Sequence, residues 1–188
     1  MKHPINAIIL ACLVSASGFA GMNEVLHSTP GNRCAITSSQ RRRIVRRVVA
    51  AEKRAALKLE EVHALIASAS RKHGVPPALV KSIVAIESNF RCDAVSSRGS
   101  IGLMQLLPAT ARQYGADARV PEQNIDAGTR YLRYLIERYR YSSCPLKSAI
   151  AAYNAGCGAV DRYHGVPPFR ETQGYVTRVL ALMQQYQS

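Results

Sequence analysis

The sequence predicts a mainly α-helical protein, and three observations support this. Apolar residues recur at three- and four-residue steps along much of the chain, which is the periodicity of an amphipathic helix. Sustained period-two alternation and Asn-Gly turns are absent, so we allow for one short β-hairpin in 89–101 and no more. The chain has 188 residues, 47% of them hydrophobic, which suffices for one core of ordinary size. We therefore expect a single domain with extensions.

The N-terminus has the layout of a secretory signal peptide in residues 1–20. A basic start precedes an apolar run over 5–14, and small residues then lead to Ala20, where we expect cleavage. Residues 21–37 would then be a leader of a periplasmic or otherwise exported protein. The alternative is a lipoprotein anchored at Cys12, although the apolar region before that cysteine is short. No later segment approaches the ~20 apolar residues of a transmembrane helix.

A long basic helix should follow the leader. Ser38 or Ser39 can cap it, and Gly74 ends it. We assign 38–60 to a basic amphipathic helix and 61–188 to the main domain. The apolar stripe of the helix comprises Ile44, Val48, Ala51, Ala55, Leu59, Val62 and Ile66.

Positive charge is concentrated in the same region. The chain has a net charge of +13, and residues 41–72 hold ten Lys and Arg against three acidic residues, a net +7. Such a field favours polyanions in general. Nucleic acid is not the expected partner, because 38–72 lack the aromatic residues on which bases stack.

Proline and glycine punctuation, together with apolar periodicity, predicts the remaining helices. The clearest has Ile125, Gly128, Leu132, Leu135, Ile136 and Tyr139 on one face. The predicted helices span 79–87, 108–114, 121–139, 145–155 and 174–186.

Four cysteines would remain after signal cleavage, and an even number in an exported chain indicates disulfides. They are Cys34, Cys92, Cys144 and Cys157. A ten-residue helix between Cys144 and Cys157 would rise ~15 Å, whereas bridged Cα atoms lie within ~7 Å. That pair is therefore disfavoured. No CxxC pair or His/Cys cluster has metal-ligand spacing, so we predict no metal site.

Glu87 stands out because it follows an apolar helical face. Helical steps back from it reach Ile83 and Val80, so its carboxylate would lie on the buried side. Poor solvation and the negative end of the helix dipole would both raise its pKa, which suits a general acid. The alternative is a surface Glu at a frayed helix end, which periodicity alone favours.

Four motifs then resemble those of the soluble lytic transglycosylases, lysozyme-like enzymes that cut bacterial peptidoglycan. They occur in the order and at the spacing of that family, over roughly residues 60–186. The motifs are Glu87-Ser88 with Phe90, Gly102-Leu103-Met104-Gln105, Ala152-Tyr153-Asn154-Ala155-Gly156, and Tyr175-Val176. Ser100 stands where the family often has Ala, and Cys157 where it often has Pro.

The resemblance implies a lysozyme-like fold with Glu87 as catalytic acid and base, supported by Ser88. A core role is the alternative for Met104 and for Tyr153. The other substrate-binding residues that the resemblance implies are Ser96, Met104, Gln105, Tyr153, Asn154 and Tyr175. Motif convergence in the family further implies a Cys92–Cys157 disulfide beside the cleft, which leaves Cys34 to pair with Cys144.

The implied reaction uses one carboxylate and no cofactor. Glu87 would protonate the glycosidic oxygen between N-acetylmuramic acid and N-acetylglucosamine in peptidoglycan glycan strands, and a 1,6-anhydromuramic acid end would form. The alternatives are a lysozyme-type hydrolase and a non-catalytic wall-binding component of a secretion or pilus machine. General wall turnover and service to a secretion, pilus or conjugation apparatus are both compatible with the sequence.

Overall fold

A computed structural model describes residues 37–188 of the chain, and the side chains of all of these except 47–57. The chain divides into two units, residues 1–42 and 43–188, and the core and the candidate site belong to the second. The predicted signal peptide, the leader up to residue 36, Cys12 and Cys34 lie outside the described residues.

Residues 37–188 form seven α-helices, which confirms the mainly α prediction. In place of the expected hairpin, two isolated antiparallel bridges join Val95 to Ile101 and Ile101 to Leu106, and the described part of the chain contains no sheet. The helices are α1 (Ser38–His73), α2 (Pro77–Ser88), α3 (Pro108–Gln113), α4 (Pro121–Arg138), α5 (Pro145–Ala155), α6 (Cys157–Tyr163) and α7 (Arg170–Gln187).

Thr37 caps helix α1, which begins at Ser38. The backbone N–H of Thr37 donates to Oε1 of Gln40 (2.8 Å), and the N–H of Gln40 donates to Oγ1 of Thr37 (3.2 Å). This reciprocal pair is a capping box, which satisfies two backbone donors at once. Thr37 therefore takes the role that we predicted for Ser38 or Ser39.

Among the described side chains of the apolar stripe of α1, those towards the C-terminal end of the helix are buried. Val62 and Ile66 belong to the core, whereas Ile44 is 50% exposed and Leu59 is 39% exposed. The predicted boundary between 60 and 61 falls inside this continuous helix. The stripe reaches the core only near that boundary, because no described core residue precedes Val62.

Proline sets the start of four helices. Each of these helices has proline in its first turn. The backbone N–H that proline lacks would have no partner within the helix at that position. Helix α6 is not among the predicted helices, because a glycine such as Gly156 normally ends a helix, yet α6 begins immediately after it. Helix α7 begins at Arg170, four residues before the predicted start at Gly174.

The core lies where α2, α4, α5 and α7 meet. Helix α2 packs against α7, and α5 packs against α4, α6 and α7. Alanines at 149, 151 and 152 are fully buried, and their small side chains let these helices approach closely. Along the part of the chain that the structure describes, no helix combines the length and the apolar character needed to cross a bilayer.

Candidate active site

A cleft of about 740 Å³ opens beside the C-terminal end of α2. It is lined by residues of α2, of the loop that precedes α3, and of α4, α5 and the first turn of α7. Five predicted site residues line it, namely Glu87, Ser96, Gln105, Tyr153 and Asn154.

Glu87 lies one residue before the end of α2. The helix ends because Asn89 adopts a left-handed conformation (φ 50°, ψ 45°) and donates its N–H to the carbonyl of Ala85 (3.0 Å). Ile83 and Val84 are fully buried on the same helix. The carboxylate thus leaves an apolar helix face at the edge of the cleft, as the spacing indicates.

The surroundings of Glu87 favour its protonated form. Burial raises the pKa of its carboxyl group, and a hydrogen bond from Tyr175 opposes this only in part. The hydroxyl of Tyr175 donates to Oε1 of Glu87 at 2.7 Å. The hydrogen bonds of the described side chains leave Oε2 without a partner, so it is free to act on a substrate. The pKa is therefore raised chiefly by desolvation.

Two tyrosines, Tyr175 and Tyr153, help to fix the residues around the Glu87 carboxyl group. Tyr175 is 3% exposed and lies in α7, which packs against α2. The hydroxyl of Tyr153 donates to the backbone carbonyl of Met104 at 2.8 Å. Burial and the nearby charge of Glu87 raise the pKa of both phenols well above the ordinary value. Both hydroxyls consequently remain donors at neutral pH.

Ser88 is buried and does not line the cleft. Its Oγ lies 2.8 Å from the carbonyl oxygen of Leu103 and 3.1 Å from that of Val84. The serine therefore ties the loop that carries Gln105 to the last turn of α2. It fixes the backbone next to Glu87, while its buried hydroxyl does not line the cleft.

Met104 lies in the core and not in the cleft, which was the alternative role for this residue. It is fully buried, and its N–H donates to Oδ1 of Asn124 at 2.8 Å. A Cβ at Gly128 would lie 2.5 Å from the Met104 sulfur, so α4 needs glycine at the point of contact. The methionine thus anchors the loop to α4.

Asn124 is a positioning residue that the sequence analysis missed. It is fully buried, and its Nδ2 donates to the carbonyls of Ile101 (2.8 Å) and Ala118 (2.9 Å). The loop passes so close that a Cβ at Gly102 (φ +78°) would lie 2.6 Å from this amide. A polar residue in line with the apolar face of α4 was the available signal, since buried amides need partners.

Gln105 and Asn154 present amide groups at the cleft, each held by the backbone or by a neighbouring helix. Nε2 of Gln105 donates to the carbonyls of Gly102 (3.0 Å) and Ala94 (3.1 Å). Oδ1 of Asn154 accepts from the hydroxyl of Thr172 at 2.9 Å, which joins the end of α5 to the first turn of α7. Their remaining hydrogen-bonding capacity is available to a polar ligand.

Ten further lining residues were not predicted as site residues, and three of them have an aromatic or charged side chain. The ring of Tyr131 lies 5.5 Å from that of Tyr153, and burial raises the pKa of Tyr131 to about 12. Glu171 is a second carboxylate at the cleft, although we expected none. It precedes Tyr175 by four residues, so helical spacing from the predicted tyrosine could have found it. Arg98 is the third.

The predicted Cys92–Cys157 disulfide is not formed. Both thiols are free, as is that of Cys144. Burial raises the pKa of the Cys92 thiol and the charge of Lys58 on α1 opposes this, whereas burial and then Cys157 raise the pKa of Tyr131 on α4. The two cysteines thus face different neighbours. Helix α5 runs without interruption between Cys144 and Cys157, in agreement with the geometry that disfavours that pair.

Sequence comparison finds relatives that are named transglycosylases. The family model described as the transglycosylase SLT domain matches residues 64–175. Membrane-bound lytic murein transglycosylase C of Actinobacillus pleuropneumoniae is 33% identical over 129 residues, covering 57% of this chain and 35% of the relative. The transglycosylase of Enterobacteria phage PRD1 is 38% identical over 92 residues, covering 48% and 33%. The chain thus spans about a third of these curated relatives.

Solved structures show the same likeness. An inactive mutant of the lytic transglycosylase Slt from Pseudomonas aeruginosa superposes with a TM-score of 0.58 at 30% identity, covering 65% of this chain and 23% of that one. The 70 kDa soluble lytic transglycosylase of Escherichia coli gives a TM-score of 0.58 at 28% identity, with the same coverage. A complex of the 70-kDa soluble lytic transglycosylase with bulgecin A also matches at 28% identity and a TM-score of 0.58.

Proposed function

The chain belongs to the transglycosylase SLT domain family, and from this premise we propose that it is a peptidoglycan lytic transglycosylase. Its substrate would be the bond between N-acetylmuramic acid and N-acetylglucosamine in glycan strands. The observation that carries the proposal is Glu87, a carboxyl group with a raised pKa that lines the cleft and accepts a hydrogen bond from Tyr175.

The first step is general acid catalysis by Glu87. Its protonated carboxyl group donates the proton to the glycosidic oxygen, and the bond from that oxygen to C1 of muramic acid breaks. The substrate's own N-acetyl group stabilises the cationic centre at C1. Such substrate assistance is a known exception to the use of two carboxylates.

The second step returns the proton to Glu87. The carboxylate, now ionised, accepts the proton of the muramic acid 6-hydroxyl as that oxygen attacks C1. The product is a 1,6-anhydromuramic acid end, and no water is consumed. Tyr175 holds Oε1 through both steps because its hydroxyl can donate to either protonation state of the carboxyl group.

The remaining cleft residues suit a carbohydrate. Ser96, Gln105 and Asn154 supply hydroxyl and amide groups for sugar hydroxyls and N-acetyl groups. The rings of Tyr131 and Tyr153 supply apolar surface against which sugar rings can pack. This mixture of aromatic and neutral polar side chains supports a glycan ligand.

We place the enzyme in the bacterial envelope, where peptidoglycan lies. The signal peptide predicted for residues 1–20 would export it, and the name of the curated relatives refers to a membrane-bound murein enzyme. Once exported, it could serve general wall turnover or open the wall for a secretion, pilus or conjugation apparatus.

A hydrolytic lysozyme is the second candidate, and Glu171 is the observation in its favour. This carboxylate lines the same cleft as Glu87, and hydrolytic glycosidases commonly use two carboxylates. In that reaction a water molecule would take the place of the 6-hydroxyl. The product would then have a reducing muramic acid end.

Product mass separates the two reactions. Purified sacculi are incubated with residues 21–188, and the released fragments are analysed by mass spectrometry. We expect anhydromuramic acid ends, which are lighter by one water molecule than reducing ends. Reducing ends instead would establish the hydrolase, and no release at all would point to a non-catalytic wall-binding protein.

Two variants complete this experiment. Glu87→Gln should abolish release while glycan binding persists, because the amide has the same shape but cannot donate the proton. Glu171→Gln should retain anhydro products, since the proposed mechanism gives it no proton to transfer. Near wild-type release by Glu87→Gln would refute the assignment of the acid.

A further inference from the structure

Arg98 is the one positively charged side chain among the described residues that line the cleft. The charged residues that share the lining with it are Glu87 and Glu171, and the others are neutral. Among these lining groups, the arginine is the one that attracts an anionic ligand group by its charge. The position of Arg98 therefore bears on which glycans the cleft accepts.

The guanidinium of Arg98 has no ion-pair or hydrogen-bond partner among the side chains that the structure describes. Arg91, in the same loop, differs in this respect, because its Nε lies 3.5 Å from Oδ1 of Asp93. Arg98 is also exposed. Its charge is thus available to a ligand rather than used within the described fold.

The backbone around Arg98 is fixed by a closed set of hydrogen bonds. The N–H of Ser96 donates to the carbonyl of Ser100 (2.9 Å), and the N–H of Ser100 donates to Oγ of Ser96 (3.0 Å). The N–H of Gly99 donates to the carbonyl of Ser96 (3.0 Å). Arg98 is therefore presented at the cleft by an ordered turn.

Sugar rings offer nothing that requires a cation, because their hydroxyl and N-acetyl groups are neutral. The muramic acid lactyl group is different. It ends in a free carboxylate when the stem peptide has been removed, and otherwise carries a peptide that bears carboxylates. A guanidinium matches a carboxylate with two parallel N–H···O bonds.

We propose that Arg98 binds a carboxylate carried by the muramic acid lactyl substituent, and so makes the cleft selective for anionic strands over neutral ones. This inference rests on the proposed function, since it assumes a muramic acid glycan in the cleft. The lactyl carboxylate itself and a stem-peptide carboxylate share the required chemistry. Arg98 is a specificity residue and takes no part in proton transfer.

Three soluble tetrasaccharides of alternating N-acetylglucosamine and N-acetylmuramic acid test this. The first has free lactyl carboxylates, the second has the same groups converted to neutral methylamides, and the third carries stem peptides. For each, kcat, KM and the dissociation constant are measured with residues 21–188 and with three variants. Thermal unfolding confirms that each variant is folded.

Arg98→Gln should lower kcat/KM about tenfold on a carboxylate-bearing strand, mainly through KM, because one charge-assisted contact is lost. It should leave the methylamide unchanged. A loss on the first substrate identifies the lactyl carboxylate, and a loss on the third alone identifies the stem. Arg98→Lys should recover part of the loss. Arg112→Gln removes one exposed charge outside the cleft lining and should change none of these values.

Equal losses on all three substrates, or no loss on any, would overturn the proposal. The binding measurements keep it separate from the proposed function. A chain that binds anionic strands through Arg98 without cleaving them would refute the enzyme and leave the role of Arg98 standing. Anhydro products together with unchanged affinity in Arg98→Gln would support the proposed enzyme and refute the role of Arg98.

Discussion

The hydroxyl of Tyr175 lies 2.7 Å from Oε1 of Glu87, across 88 residues of sequence. One partner lies in α7 and the other at the end of α2, so the contact depends on the packing of these two helices. The hydrogen bond favours the ionised carboxylate, while burial favours the protonated form more strongly. The balance of these two effects sets the working pH range of the proposed acid.

Tyr175→Phe should therefore change both the rate and its pH dependence. Without the hydroxyl, Glu87 loses the hydrogen bond that lowers its pKa, so its pKa should rise further. The enzyme needs protonated Glu87 in the first step, and the alkaline limb of kcat/KM should move to higher pH. The carboxyl group also loses its orientation, and kcat should fall by roughly ten- to a hundred-fold.

The matched control is Tyr153→Phe, because the hydroxyl of Tyr153 donates to the Met104 carbonyl and not to Glu87. It should lower activity, but the alkaline limb of kcat/KM should shift less in this variant than in Tyr175→Phe. A Tyr175→Phe variant with an unchanged pH profile would show that the hydroxyl does not tune the acid.

Glu87→Gln should stabilise the protein at neutral pH. The folded-state pKa of Glu87 is raised by burial, so the folded state holds the proton more tightly than the unfolded state does. Stability is highest at pH values below the unfolded pKa and falls as the pH rises through the folded pKa, where the buried group ionises. Glutamine cannot ionise and avoids this loss. We expect a gain of about 1 kcal/mol in unfolding free energy from replacing the buried ionisable group.

The measurement is chemical denaturation of both proteins at pH 4 and at pH 8. The advantage of Glu87→Gln should grow with pH. Glu171→Gln is the control, because this exposed carboxylate lies in the first turn of α7, where negative charge is favourable. It should bring no gain, and an advantage of Glu87→Gln that shrinks as pH rises would contradict the assigned direction.

Local patterns in the sequence were enough to predict most of the helices. Prolines mark the starts of α2 to α5, and periodicity identified the buried face of α4, in which Ile125, Leu132 and Leu135 are fully buried. Helix α6 was missed because Gly156 adopts a positive φ (81°) that would normally end a helix, yet here only separates two.

The site was predicted less completely, because it depends on contacts between distant segments. The family resemblance indicated five of the cleft residues, but periodicity could not tell that Met104 points into the core, where Gly128 makes room for it. Nor could it tell that the first turn of α7 brings Glu171 to the cleft. The disulfide prediction failed for the same reason, since motif positions do not fix which way a cysteine faces.

Asn124→Ala should destabilise the fold and slow the proposed reaction. The buried amide serves Met104, Ile101 and Ala118, and its removal leaves backbone groups of the loop without partners. We expect a loss of about 3 kcal/mol in unfolding free energy. The loop also holds Gln105 at the cleft, so kcat/KM on a soluble glycan should fall.

Gln123→Ala provides the comparison one residue away. Its side chain is exposed and accepts one hydrogen bond from the backbone of Asp117. Removing it should cost under about 1 kcal/mol, because water can replace the lost partner. Similar losses for both variants in urea denaturation would show that the amide of Asn124 does not anchor the loop.

The basic start of α1 should act on encounter with the wall and not on catalysis. Arg41, Arg42, Arg43 and Arg46 are all exposed, and their attraction to an anionic polymer reaches about 10 Å at 0.1 M salt. Changing all four to glutamine should weaken binding to sacculi about tenfold at low salt and far less at high salt. Cleavage of a soluble tetrasaccharide should stay at the wild-type rate, because none of the four lines the cleft. Binding is measured by co-sedimentation across a salt series, and equal losses on sacculi and tetrasaccharide would instead make this segment part of the catalytic fold.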